Sequence, residues 1–250
     1  MSGQTMRNDE VFAELMQFQR DTEALKSIAG RLAWDQETMM PKGSSDQRAT
    51  EQAALVSVIH KRNTDPRISD WLNVINPGND IEAANIRLIK KSYKKNCKVP
   101  TELNASIARV TSKAHGIWAS ARANENVAEF IPTLAEIINL KIEKAEALAQ
   151  GEDRYDSLID EYEPNISADE ISVIFKNLRP TLVELRREVL SKEKPRVLTG
   201  NFDEKIQLQL ANEIANAFGY DLNTGRIDQA VHPFSSGSGD DVRITTRTDL

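Results

Sequence analysis

PTELNASIARVTSKAHGIWASA, residues 100–121, places Leu103, Ile107, Val110, Ala114, Ile117/Trp118 and Ala121 at steps of three and four. That spacing puts one apolar stripe on a helix, and Pro100 suits its start. The same period extends on either side. Val11, Leu15, Phe18, Thr22, Leu25, Ile28 and Leu32 predict a first helix, and Ala49, Ala53, Val56 and Ile59 a second that ends before Asp65-Pro66. Asn76-Pro77-Gly78-Asn79 reads as a turn, with Asp80 capping a helix that carries Ile81, Leu88, Ile89 and Tyr93.

Downstream, Phe130, Leu134, Ile137/Ile138 and Ala145 predict another helix, with Pro132 tolerable only in its first turn. Residues 151–166 lose the period. Ser167 and Glu170 form a capping box before Ile171, Ile174, Phe175 and Leu178. Pro180 is expected to kink or interrupt that helix, while Leu182, Leu185 and Val189 continue its stripe. Ile206, Leu210, Ile214 and Phe218 complete a last helix, stopped by Gly219. No coiled-coil heptad is read as persisting. The expected fold is mainly α, a multi-helix array over residues 8–219.

Two stretches depart from this grammar. Trp34 to Gly43 breaks the first helical pattern and, with one Trp and two Met, reads as a loop packed onto something, beside a groove or in the core. Residues 220–241 are turn-rich, and Ser235–Gly239 reads as a flexible loop. Asp241–Thr246 then alternates Val242 and Ile244 with Arg243 and Thr245, the pattern of a short strand. Residues 220–250 are thus expected to form a groove loop and an edge strand.

Composition excludes several classes. Thirty-two Lys+Arg against 38 Asp+Glu give a net charge of −6, against a nucleic-acid footprint spread over the surface. The one cysteine, Cys97, rules out an internal disulfide framework and Cys-rich zinc modules, and suggests the cytoplasm. No apolar run approaches membrane-helix length, and Met1–Glu10 lacks a signal-peptide pattern.

Lys90, Lys91, Lys94, Lys95 and Lys98 cluster at one helix end without a Gly-rich loop, and read as a solvated face. Asp156, Asp160, Glu161 and Glu163 could form an acid/base pair but read as hydrated carboxylates. His60 and His115 fall within helices as packed or surface residues. His232 differs, because His232-Pro233-Phe234 lies in a loop between a helix and a strand, where binding residues concentrate.

Several motifs together resemble the Taq-type thermostable metallocarboxypeptidases. Trp34-Asp35, Thr38 and Met40-Pro41 are similar to W-D-x-x-T-x-M-P, and Tyr155-Asp156, Leu158 and Tyr162-Glu163-Pro164 to Y-D-x-L-x-D-x-Y-E-P. Gly225-Arg226-Ile227-Asp228, His232-Pro233-Phe234 and Asp241-Val242-Arg243-Ile244-Thr245 follow as G-R-x-D, H-P-F and D-x-R-x-T. The resemblance runs from about residue 10 to the end. It implies a mainly helical fold of the zinc-metallopeptidase type, usually homodimeric, with a zinc- or cobalt-dependent activity that removes C-terminal residues from peptides. It also implies that His232, Phe234, Asp241, Arg243 and Thr245 lie by the substrate groove.

The 250 residues contain no H-E-x-x-H, and His60, His115 and His232 lack its local spacing. The expectation is the N-terminal portion of such an enzyme, inactive alone, with no metal bound specifically and the zinc helix to follow after Leu250. Helices meant for the absent half would then expose apolar stripes. A rival is a helical interaction or scaffold module that has lost catalysis; a third possibility is a missing half supplied by a separate chain. Val242–Thr246 is further read as an edge strand to which substrate adds by backbone pairing. Arg243, on the opposite side of the strand from Val242, would hold a carboxylate bidentately, either the substrate's or a structural Asp.

Overall fold

Residues 8–197 and 199–248 are described by the computed structural model; Met1–Arg7, Leu198, Asp249 and Leu250 lie outside them, including most of the stretch read for a signal peptide. In chain order the described helices are α1 (Asn8–Thr38), α2 (Ser45–Asn63), α3 (Pro66–Val74), α4 (Asp80–Lys98), α5 (Thr101–Ala123), α6 (Val127–Ala149), α7 (Arg154–Ile159), α8 (Ala168–Ser191) and α9 (Glu204–Ala217). Strands β1 (Gly225–Gln229), β2 (Ser235–Ser238) and β3 (Asp241–Thr246) form one sheet. The chain is mainly α, as the periodicity predicts, and late in the sequence it carries a three-stranded sheet where one short strand was expected.

The helical centre is built from small side chains. Ala49 and Ala53 of α2 and Ala105, Ser112, Ala114 and Ala121 of α5 are buried, so the two backbones lie side by side. His60 on α2 is also buried and joins Asn104 of α5 through Nδ1 at 2.9 Å. Burial holds its pKa below the ordinary value despite a backbone contact with Val99, so the ring is a neutral packed group. A second cluster, Val11, Leu15, Phe18, Ile68 and Ile75, fastens α3 to α1. Over it Arg62 donates to the Phe18 carbonyl and to Thr22 Oγ1, both at 2.9 Å, with its guanidinium 4.0 Å from the Phe18 ring centre.

Several local expectations are corrected. The supposed loop at 34–43 is helical as far as Thr38, and Trp34 is buried within α1. Thr38 Oγ1 donates to the Trp34 carbonyl and the Met39 and Met40 amides donate to that of Asp35, so the helix ends where Pro41 follows. Helix α3 was hidden in a stretch too short to show a period; Asp65 caps it by accepting from the Arg67 amide, and Pro66 opens it. Asn79, not Asp80, caps α4. Pro132 sits in the second turn of α6 rather than the first, and the aperiodic stretch holds the short α7.

Pro180 lies midway along α8, which continues through it from the Ser167–Glu170 capping box to Ser191. An interior proline costs a helix about 3 kcal/mol in missing hydrogen bond and ring clash. The uninterrupted helix joins Ile171, Phe175, Leu178, Leu182, Leu185 and Val189 into a stripe spaced alternately by four and three residues. The stripe therefore runs unbroken through the proline.

The sheet departs most from expectation. β3 is its middle strand, parallel to β1 and antiparallel to β2, so it is not an edge. Both sides of its backbone are taken, which removes substrate pairing with β3. The supposedly flexible Ser235–Gly239 stretch supplies β2. Gly239, at φ +59, makes the tight turn to β3 that a residue with a Cβ would resist.

The lysine face and the acidic cluster are joined rather than separately solvated. Asp160 accepts from Lys91 at 2.9 Å and from Lys95 at 3.4 Å, and Lys98 donates to the Leu148 carbonyl. Burial opposes ionisation of Asp160, but Lys91, the Asn165 amide and Lys95 outweigh it and hold its pKa below the ordinary range. Glu161 pairs with Lys144 at 2.5 Å, and Asp156 accepts from the Ala168 amide at 2.7 Å. These carboxylates fasten α7 to α4, α6 and the start of α8; they are not an acid/base pair.

Candidate functional site

Four of the sequence motifs, W-D-x-x-T-x-M-P, G-R-x-D, H-P-F and D-x-R-x-T, meet where the sheet joins the C-terminal part of α1 and α5. The Tyr155–Pro164 motif lies apart, around α7. Because side chains alternate along a strand, Asp241, Arg243 and Thr245 share one face of β3, and in parallel register Arg226 and Asp228 of β1 join them. Arg226 and Arg243 are direct cross-strand partners, a like-charge pairing that is unfavourable by itself. Three features offset it. Both guanidinium groups lie over the Trp34 ring, at 4.7 and 4.3 Å from its centre. Arg226 is paired with Asp228 through two contacts of 2.6 Å, and Arg243 with Asp241 bidentately at 2.8 and 2.9 Å.

Asp241 also accepts from Arg31 of α1 at 2.9 Å, and Ser238 meets Ser27 at 2.6 Å, so the sheet is stapled to α1. Arg243, then Arg31, holds the Asp241 carboxyl well below the usual carboxylate range. Of the two roles open to Arg243, the structure displays the pairing with a structural Asp. Arg243 shares the Trp34 ring with Arg226, and each guanidinium is ion-paired to a carboxylate of its own strand.

The H-P-F turn sits beside this group. Thr245 is buried, and its hydroxyl accepts from the Phe234 amide at 2.6 Å and donates to the Phe234 carbonyl at 2.8 Å. Its hydrogen-bonding capacity therefore shapes the turn. His232 is exposed and meets Trp118 of α5 edge-on at 6.5 Å; Arg122 of α5 holds the Val231 carbonyl at 2.9 Å. His115 lies 6.0 Å from the same Trp118 ring, with Nε2 buried and 2.8 Å from Glu37 Oε2 outside hydrogen-bonding direction. All five expected residues, His232, Phe234, Asp241, Arg243 and Thr245, thus fall on one region, supported by α1 and α5.

Reading the sequence missed Arg31, Arg226 and Trp118 as members of this region. Arg226 stood within a quoted motif, and its period-two relation to Asp228 was an available signal. Arg31 looks like any surface residue of a helix, and Trp118 like a core residue.

Asp241→Asn is expected to cost about 1.5–3 kcal/mol of stability near neutral pH, the scale of hydrogen bonds to charged groups. Since the folded carboxyl titrates below its unfolded value of about 3.9, its contribution is present above that value and is lost as pH falls toward the folded one. Denaturant unfolding of both proteins should show a gap that narrows steadily below about pH 4. A gap independent of pH would exclude the ionic network as its source.

Among the described residues no three His, Cys, Asp or Glu side chains are grouped to hold a metal ion. His60 is spent on Asn104, and His115 has one carboxylate neighbour. A catalytic metal needs three protein ligands and an open position, which this arrangement does not supply.

A helical scaffold with a small sheet bearing ordered H-P-F and D-x-R-x-T segments defines a class that known proteins share. The chain matches the carboxypeptidase Taq (M32) metallopeptidase family over residues 14–250 and belongs to it. It is 36% identical to Thermostable carboxypeptidase 1 of Thermus thermophilus across 97% of its own length and 51% of that protein's. Identity to Carboxypeptidase 1 of Bacillus subtilis is 29%, over 86% of this chain and 45% of that protein. The solved BsuCP structure superposes with TM-score 0.86 at 27% identity, covering 97% of this chain and 50% of that one. Pyrococcus furiosus carboxypeptidase gives 0.79 at 26% identity, covering 96% and 50%. The chain spans about half the length of the relatives it matches.

Proposed function

We propose that these 250 residues form one wall of the substrate groove of a metal-dependent carboxypeptidase that removes C-terminal residues from peptides. The observation that supports this best is the family match over residues 14–250 together with the one region in which His232, Phe234, Asp241, Arg243 and Thr245 lie. In this reading Arg243 and Arg226, each paired with an aspartate over the Trp34 ring, fix the sheet that forms the wall, and Thr245 holds the Phe234 turn in place. Zinc or cobalt is the metal expected for the complete enzyme. The residues present do not fit it, so no step of hydrolysis is assigned to them. A homodimer is the proposed assembly, peptide C-termini the proposed partners, and the cytoplasm the proposed location; no described helix is long and apolar enough to cross a membrane.

The 250-residue chain alone is expected to be inactive. Purified chain incubated with N-blocked dipeptides and zinc or cobalt should release no C-terminal amino acid above the metal-only control. Metal-dependent release abolished by a chelator would overturn this. The alternative, a helical interaction module without catalysis, is favoured by the bare apolar stripe of α8. It would gain support if supplying an H-E-x-x-H segment restored no hydrolysis.

A further inference from the structure

The Tyr155–Pro164 motif borders a cavity that the proposed groove wall leaves unused. It encloses about 460 Å³ between α4, the C-terminal end of α6 and residues 152–166. Small-molecule sites occupy about 300–1,000 Å³. Hydrogen bonds close the cavity at both ends along α4. Lys91 and Lys95 hold Asp160 at one end, and Lys98 holds the Leu148 carbonyl at the other. The step from Lys91 to Lys98 spans about 10 Å of helix axis. Buried Leu148 and Ala149, with half-buried Ile166, give it an apolar lining.

Charge decides what fits. Four lysines of α4 line the cavity together with four carboxylates of residues 152–160, so the sum favours neither an anion nor a cation. Among the described residues these carboxylates are not grouped to hold a metal ion. Most of the charges are already engaged. Asp153 accepts from the Tyr155 and Asp156 amides, and Asp156 from the Ala168 amide. Lys94 and Glu152 remain, one of each sign, and neither side chain has a partner among the described residues. A ligand carrying its own carboxylate and ammonium answers both without adding net charge.

We propose that this cavity is a binding site for a free α-amino acid with an aliphatic side chain. Lys94 takes the carboxylate, Glu152 the ammonium, and Leu148, Ala149 and Ile166 the side chain. No residue of the H-P-F or D-x-R-x-T segments takes part, so the site does not depend on the carboxypeptidase reading.

The test is titration of the 250-residue chain with L-leucine, read by calorimetry and by amide chemical shifts. Saturable binding is expected, with the shifts concentrated in α4, α7 and the end of α6. Leucinol lacks the carboxylate and isocaproate lacks the ammonium; each should bind at least tenfold more weakly. Lys94→Met and Glu152→Gln should each weaken leucine binding at least tenfold. Their thermal melts should be unchanged, because both side chains are exposed and unengaged. Lys176→Met, on α8, should bind leucine as the parent does.

The proposal falls if leucine shows no saturable binding at millimolar concentration. It falls equally if either cavity variant binds leucine as tightly as the parent. Leucinol, isocaproate or inorganic phosphate binding as tightly as leucine would also overturn it, because the cavity would then not read both charges.

Discussion

Trp34→Ala should destabilise the chain by about 3–5 kcal/mol, the range for truncating a buried aromatic. The indole is only 5% exposed and serves two structures at once: it fills the interior side of α1 and carries Arg226 and Arg243 on its ring. Removing it opens a cavity and brings the two guanidinium groups face to face without their shared platform. Trp34 Nε1 has no hydrogen-bond partner, so Trp34→Phe keeps a ring and sacrifices no bond; its cost should be clearly smaller. Urea unfolding of the two variants gives the comparison. An alanine variant within about 1 kcal/mol of the parent would mean that the site collapses onto the gap and that the ring is no platform.

Gly225→Ala should cost about 3 kcal/mol, near the upper end for overpacking. A Cβ on Gly225 would come within 2.5 Å of the Val242 carbonyl oxygen and closer still to the Tyr220 hydroxyl. That hydroxyl donates to Val242 O at 2.5 Å and Arg226 O at 3.1 Å, locking the start of β1 beside β3. The side chain could rotate away, but the Val242 carbonyl is backbone in the middle strand. Relief therefore requires β1 to shift, carrying Arg226 off Trp34. The expected result is a lowered Tm with a changed near-ultraviolet signal. An unchanged Tm would show that β1 is not held in this register.

The helices were legible because their stripes are long: residues 103–121 and 11–32 repeat at three and four often enough to exclude other periods. Boundaries failed where tertiary contacts outrank local signals. Trp34 breaks the α1 pattern in sequence, yet its ring is bought a buried place by the two arginines of the sheet. Pro180 should break α8 on propensity, yet the helix runs through it. Ser235–Ser238 has no apolar residue to announce a strand, and becomes one because Ile244 and Val242 present backbone partners. The Asp241, Arg243 and Thr245 alternation was visible as a strand but not as the middle of a sheet, since β1 and β2 are too short and polar to be read. Arg31, joined to Asp241 over 210 positions, carries no local sign of that role.

The staple between Arg31 and Asp241 also sets a schedule for biosynthesis. At about 5–20 residues per second, the ribosome adds the 210 positions between them in about 10–40 s. Helix α1 emerges early, and its Trp34 face must wait that long for β1 and β3. During this interval the nascent chain presents an uncovered indole beside Arg31 to whatever chaperones attend it. Docking of the sheet is accordingly a late folding event, with its contacts formed after the helical centre of α1, α2 and α5 has been made.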